Sequence, residues 1–250
     1  KNAMITKEDL KNYIHSSTNN TPLYTSLDSL KDYGDFEVEQ QSKVRKLGAK
    51  NLTQSWTSIP HVTHFEEIDI SIIEEQRAEL NKTSKTKLTP LSYLVMKVIN
   101  ALQEFPQFNA ALVGEGKIML RKYFNIGIAV DTKDGLLVPV IRNADKLNIT
   151  EVADEIIMLA EKAKNKKLLE RNLSGGTFSI SSLGSMGGVG FTPIINPPEV
   201  AILGVSRAKK VPALEGDKLV EKTILPVALS YDHRVINGAD AGKFMNFLKS

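Results

Sequence analysis

The chain has no cysteine among its 250 residues. That excludes disulfides, thiolate metal sites and a cysteine nucleophile, and it fits a reducing compartment. Tryptophan occurs once and histidine four times, so few side chains can titrate near neutral pH. No apolar run approaches the roughly 18 residues of a membrane-spanning helix. No secretory leader pattern is expected in the opening residues. A charge excess of one sign is missing too: 24% of residues are charged and the net charge is +3. Nucleic-acid binders concentrate basic charge on one face or tract. The densest basic run here, EKAKNKKLLER from Glu161 to Arg171, reads as the polar face and C-terminal end of an amphipathic helix. Neither a nucleic acid nor a membrane is expected as a partner. What is present is enough apolar material, 42% of residues, for one sizeable core.

Helices and strands alternate along most of the chain. ITKEDLKNYI, capped by Thr6, reads as a short helix, and HSSTNNTP after it as linker. The boundary of the main domain is expected near Gly34. DFEVEQ and HVTHFEEIDI are expected as strands, SKVRKLGAKNLTQSW as a helix. SIIEEQRAEL is expected as a helix capped by Ser71, with Glu74 completing a capping box. TPLSYLVMKVINALQEF has the pattern of a buried helix. RKYFNIGIAVDT and GLLVPVIRNAD are expected to form a hairpin turned at KDG. A helix opened by Thr150 follows, then strands in GGTFSISSLG, AILGVSRAKKV and KTILPVALSYDH, then a last helix in GADAGKFMNFLKS. This order predicts an α/β protein, two layers with a mixed sheet and helices.

The most informative stretch is SYDHRVINGAD, Ser230 to Asp240. Strand alternation turns Asp232 and Arg234 away from His233, so Asp232 is a poor partner for a catalytic triad. Asn237 can reach back across a turn, but an amide cannot offset an imidazolium's charge as a carboxylate does. His233 then reads as a base whose tautomer is fixed by backbone, or as a satisfied histidine at a strand end. The run LGSMGGVGFTPIINPPE is Gly-rich, yet it lacks the Lys-Ser/Thr ending of a phosphate-binding loop and reads more simply as a loop between strands. In SISSLG, Ser179 and Ser181 share one strand face and Ser182 takes the other. His61 and His64 fall on opposite faces of their strand, which argues against a shared metal. Trp56 is expected in the core or at an interface.

Taken together, NLTQSWTSIPHVTHFEEIDIS, FPQFNAAL, KYFNIGIAVDTKDGLLVPVIRNAD, GGTFSISSLGSMGGVGFTPIINPPEVAILGVSRA and LPVALSYDHRVING resemble, in order, the 2-oxo acid dehydrogenase acyltransferases. The resemblance covers residues 35–250 and is most like the acetyl-transferring, pyruvate-type branch. It implies the coenzyme A-dependent acyltransferase fold of the chloramphenicol acetyltransferase type. Residues 1–15 resemble the end of a peripheral subunit-binding domain, with 16–34 as linker. Lipoyl domains upstream and a tail beyond Ser250 are implied as well. The implied assembly is a homotrimer built into a larger core, with decarboxylase and dihydrolipoamide dehydrogenase components as partners. The implied location is the bacterial cytoplasm, or the mitochondrial matrix in a eukaryote.

The implied reaction moves an acetyl group between dihydrolipoamide and coenzyme A. Both substrates carry thiols, so the protein needs no nucleophile of its own. A thiol with an ordinary pKa of about 8.5 is mostly protonated at pH 7, and an imidazole can take that proton. The resemblance makes His233 the base. It makes Ser181 the donor to the tetrahedral oxyanion, with Ser182 as second choice, and Asn237 a support for the histidine's turn. It places Arg77 and Asn196 along the coenzyme A path; for Arg77 a solvated helix position is an equal reading. Rival readings are a succinyl or branched-chain acyl group, a non-catalytic core component, and an antibiotic-acylating enzyme.

Overall fold

The computed structural model describes residues 7–8 and 27–250. The first helix expected from sequence, Ile5 to Ile14, lies outside the described residues except for Lys7 and Glu8. The chain divides into two compact units, Lys1–Gln40 and Gln41–Ser250. In the first, Asp28–Tyr33 forms one short 3-10 helix with no buried residue. The strand expected at Asp35–Gln40 does not form. All six residues are exposed, and among the described residues no strand lies alongside to supply a ladder.

The second unit is built on a seven-stranded mixed sheet. Its strands are β1 (His61–Asp69), β4 (Ile126–Ile128), β7 (Val140–Ile141), β8 (Phe178–Ser182), β9 (Ala201–Val205), β10 (Lys209–Glu215) and β11 (Lys218–Asp232). The order is β1-β11-β9-β8-β4-β7, with β10 alongside the first half of β11. β8 runs parallel to β4 and β9, and the other pairs are antiparallel. The small pairs β2–β3 (Ala110–Leu112, Ile118–Leu120) and β5–β6 (Val130–Thr132, Gly135–Leu137) stand apart. The second of these is the hairpin expected around KDG.

Five α-helices complete the unit: α1 (Lys43–Ser58), α2 (Ser71–Leu80), α3 (Pro90–Glu104), α4 (Ile149–Lys164) and α5 (Gly238–Lys249). α1 starts where sequence places it, because the Ser42 hydroxyl accepts the Arg45 N–H at 3.1 Å. Two caps differ from expectation. α2 has Ile70 at its N-cap. Ser71 instead donates to the Asp69 carboxylate at 2.6 Å and accepts the Thr223 N–H at 2.9 Å, so a long-range tie to β11 takes over the hydroxyl. α4 is capped by Asn148, not Thr150. Its side chain accepts from the N–H groups of Thr150 and Glu151, while Glu151 reaches back to the Asn148 N–H, a closed capping box.

Alternation along the strands sorts the sheet's two faces. Phe178 and Ile180 of β8, Leu203 of β9 and Leu229 and Tyr231 of β11 join the core with α3, α4 and α5. Phe244 of α5 stacks on Phe108 at 4.3 Å and approaches Phe178 at 6.1 Å. Ser179 and Ser181 are left for the opposite face. There Gly204 lies beside them, and a Cβ on it would come within 2.9 Å of the Phe191 ring and 3.2 Å of Pro193. Only a glycine lets the segment after the Gly-rich run lie directly on the sheet.

Candidate active site

Ser181 opens into a pocket of about 250 Å³ on the face away from α3, α4 and α5. Asn51 and Leu52 of α1 and Val138 line one side, and Phe191 to Pro197 the other. Ser179, fully buried, lies deeper in the same pocket, and its hydroxyl is near the Glu199 carboxyl without a well-formed hydrogen bond. Asn196, expected near this path, does line it. Ser182 follows on the other strand face, half-buried.

Glu199 sits under this wall, 3% exposed. Burial pushes its carboxyl up to about 8, against weaker downward pulls from Ser179, Arg121 and Asn196. It is therefore a neutral acid at pH 7. Arg121, buried nearby, spends its guanidinium on the carbonyls of Ala110, Thr177 and Pro198. Nothing in the sequence around Glu199 or Arg121 marks this cluster, because it joins residues 78 positions apart.

His233 occupies an exposed turn just past the end of β11. Its backbone N–H donates to the Pro60 carbonyl at 3.1 Å, and its ring lies 6.0 Å from that of Tyr231. Among the described residues its imidazole has no hydrogen-bond partner. Asp232 does not serve it: the carboxylate is buried and held by the Arg234 guanidinium at 2.7 and 2.9 Å. Asn237 does not cross the turn to the ring. Its Oδ1 accepts the Asp240 N–H at 2.9 Å and caps α5, so it fixes where the turn ends and the helix begins.

Ser181 and His233 are not together within one chain. Ser181 is level with Gly204 on β9, while Asp232 is level with Val200. Four to five residues along the strands and two strands across put the two side chains on the order of 20 Å apart. Arg77 is farther still from His233, because α2 starts at the opposite end of β1. Its guanidinium is taken by Glu74 at 2.6 and 2.9 Å, and that hydrogen bond raises its pKa.

Two further side chains act on the pocket wall. His61 Nε2 accepts the Ile195 N–H at 3.1 Å, and the Ser55 hydroxyl donates to the Ile195 carbonyl at 2.6 Å. His61 and His64 leave opposite faces of β1, as the alternation requires: His61 meets the loop and His64 lies near Gly242 of α5.

Comparison with known proteins fits this architecture. Residues 33–250 match the model of the 2-oxoacid dehydrogenases acyltransferase (catalytic domain). The dihydrolipoyllysine-residue acetyltransferase component of the pyruvate dehydrogenase complex of Buchnera aphidicola is 43% identical over 98% of this chain and 63% of its own length. The Pseudomonas aeruginosa component of the same name is 48% identical over 85% of this chain and 40% of its own length. The chain thus spans from two fifths to just under two thirds of these relatives. The solved dihydrolipoamide acetyltransferase of Azotobacter vinelandii superposes with a TM-score of 0.87 at 44% identity, covering 92% of this chain and 96% of that one. A serine, a histidine and an asparagine were investigated there for their role in the catalytic mechanism. The serine precedes the histidine by 52 positions and the asparagine follows it by 4, the spacings of Ser181, His233 and Asn237 here. A chloramphenicol acetyltransferase, 14% identical with a TM-score of 0.50, shares the fold. On the match across residues 33–250, this chain belongs to the 2-oxoacid dehydrogenase acyltransferase family.

Proposed function

We propose that the chain carries the catalytic domain of a dihydrolipoyllysine-residue acetyltransferase, the core component of a pyruvate dehydrogenase complex. The observation that carries this reading is the Ser181 hydroxyl, set at the end of a strand and facing a pocket walled by apolar side chains. The matching serine–histidine–asparagine spacing supports it.

In this reading His233 takes the proton of the coenzyme A thiol as the sulfur attacks the acetyl carbonyl of the S-acetyl dihydrolipoyl group. Ser181 donates a hydrogen bond to the oxygen that gains the negative charge. Such a donor is worth most in a pocket that excludes water. As the carbon–sulfur bond to the dihydrolipoyl group breaks, His233 returns the proton to the departing sulfur. Acetyl-coenzyme A and dihydrolipoamide are the products, and no protein thiol takes part. Asn237 keeps the histidine's turn in register by capping α5. Ser182 and Asn196 contribute to the coenzyme A side of the path. Arg77, committed to Glu74, acts more simply as a tie between α2 and the Leu88 carbonyl, which its guanidinium reaches at 3.5 Å. The lipoyl group is carried on a separate domain of the complex.

The separation of Ser181 from His233 requires a second copy to complete each site. A closed ring of identical chains does this, each chain giving His233 to one site and Ser181 to the next. A trimer of this kind is the unit from which the core is built, with decarboxylase and dihydrolipoamide dehydrogenase as further components; the bacterial relatives support a place in the bacterial cytoplasm.

The test is acetyl transfer from acetyl-coenzyme A to dihydrolipoamide by mixed assemblies. Chains carrying His233→Ala and chains carrying Ser181→Ala are each inactive alone. When the two are unfolded, mixed in equal amounts and reassembled, about one site in four regains both side chains, and activity returns in that proportion. Inactive wild type would sink the assignment, and no recovery in the mixture would sink the shared site.

A further inference from the structure

The segment Ile59-Pro60-His61 touches both site halves that one chain carries. On one side the Pro60 carbonyl accepts the His233 N–H at 3.1 Å, and His61 pairs with Asp232 in the β1–β11 register. On the other side the His61 ring reaches the wall of the Ser181 pocket. Its Nδ1 lies 2.9 Å from the Ile59 carbonyl. A carbonyl only accepts, so Nδ1 carries the hydrogen and Nε2 is left as an acceptor. That acceptor meets the Ile195 N–H at 3.1 Å. The tautomer needed to hold the wall is therefore set by the carbonyl two residues earlier in the chain.

Ile195 lies in a segment with no helix or strand between Phe191 and Asn196, so its backbone groups have no ladder to join. Both are met by side chains, the N–H by His61 and the carbonyl by the buried Ser55 at 2.6 Å. Its own side chain is 1% exposed and packs with Ile59 and Ile202. The Trp56 ring, at 5.5 Å from that of His61, covers the imidazole from the side of α1. Ile194, Ile195 and Asn196 line the pocket that Ser181 faces. A loop anchored at one residue by two hydrogen bonds and an apolar contact keeps the shape of that wall.

We propose that His61 is a positioning residue for the acyl transfer, clamping the Ile195 wall of the Ser181 pocket to the segment that also holds His233. The proposal rests on the acyltransferase reading above. It extends that reading to a side chain that touches neither substrate nor the reacting atoms.

The experiment compares wild type, His61→Phe, His61→Gln and Ser55→Ala in the intact chain. Phenylalanine keeps a ring beside Trp56 and removes the acceptor; glutamine keeps an acceptor near the place of Nε2. One lost hydrogen bond on the wall predicts a rise of about five- to tenfold in KM for the acyl thioester. The kcat of His61→Phe stays within about threefold of wild type, because the reacting groups are intact. His61→Gln returns KM to within about threefold, and Ser55→Ala shifts KM in the direction of His61→Phe. Independently of activity, hydrogen exchange at the Ile195 amide accelerates in His61→Phe and not in His61→Gln. An unchanged KM in His61→Phe, with or without faster exchange at Ile195, overturns the positioning role. So does a fall in kcat that tracks a fall in Tm and that glutamine does not rescue. If wild type transfers acetyl and only these patterns fail, the clamp is wrong and the acyltransferase reading stands. If wild type transfers nothing, that reading fails and the positioning role falls with it.

Discussion

The two halves of the proposed site are built in opposite ways. Ser181 sits on a mid-sheet strand beside a deeper serine that water does not reach, in a pocket whose wall is pinned from two other elements. His233 sits in the open, on a three-residue turn between β11 and α5, held only through its backbone. An oxyanion donor gains from a dry, rigid setting, where a hydrogen bond is electrostatically stronger. A base that must take and return a proton gains from one in which neither charge state is trapped. Under the proposed shared site, the open half meets a wall from a second copy, since the same chain holds its own about 20 Å away.

That contrast can be broken at either end. His233→Ala should cut acetyl transfer by about 10²–10⁴-fold while leaving Tm unchanged, since the ring is exposed. A matching fall in Tm would mean that the turn depends on the ring. Ser181→Ala should lower kcat by about 10²–10³-fold with little change in KM. A loss confined to KM would make it a binding group instead. Asn237→Ala removes the cap of α5, which should cost about 1 kcal/mol of stability in denaturant titration. It should also slow transfer less than His233→Ala does, because it acts only through the turn.

A separate effect, on stability rather than on transfer, concerns the acid beneath the pocket. Free of the fold, the Glu199 carboxyl ionises near 4.5, whereas burial in the native state raises this to about 8. Between these values the unfolded chain has lost the proton that the folded chain keeps. Stability should then fall as pH rises through that window. Glu199→Gln mimics the neutral acid, so its Tm should fall less than that of wild type between pH 5 and pH 8.5. An equal fall in both proteins would show that the group is ionised when folded.

Much of the fold was legible in residue order because it rests on local periodicity. The buried run of α3, the hairpin around KDG and the 2-residue alternation of FSISS all survive in the structure. Alternation alone separated Ser181 from Ser182, and Asp232 from His233. The differences have two sources, long-range contacts and competing local partners. Ser71 and Thr150 look like caps, but tertiary partners or a better local acceptor took that place. Asp35–Gln40 has strand composition, yet no neighbouring strand pairs with it. For Arg77, where a coenzyme A contact and a solvated helix position were equal readings, the structure adds a glutamate one turn back as partner.

Residue order alone was enough for most of the elements, the face each serine would take, and the absence of any protein thiol, because these follow from backbone period and residue chemistry. It also carried the family through an ordered set of segments. What those faces meet came from the packed fold. It set the wall of Phe191 to Asn196 on the glycine at 204, tied Ile195 to His61 across 134 positions, and buried Glu199 beside Ser179. It also placed Ser181 far from His233. Contacts of that kind depend on strand order and loop docking, and no local pattern encodes them.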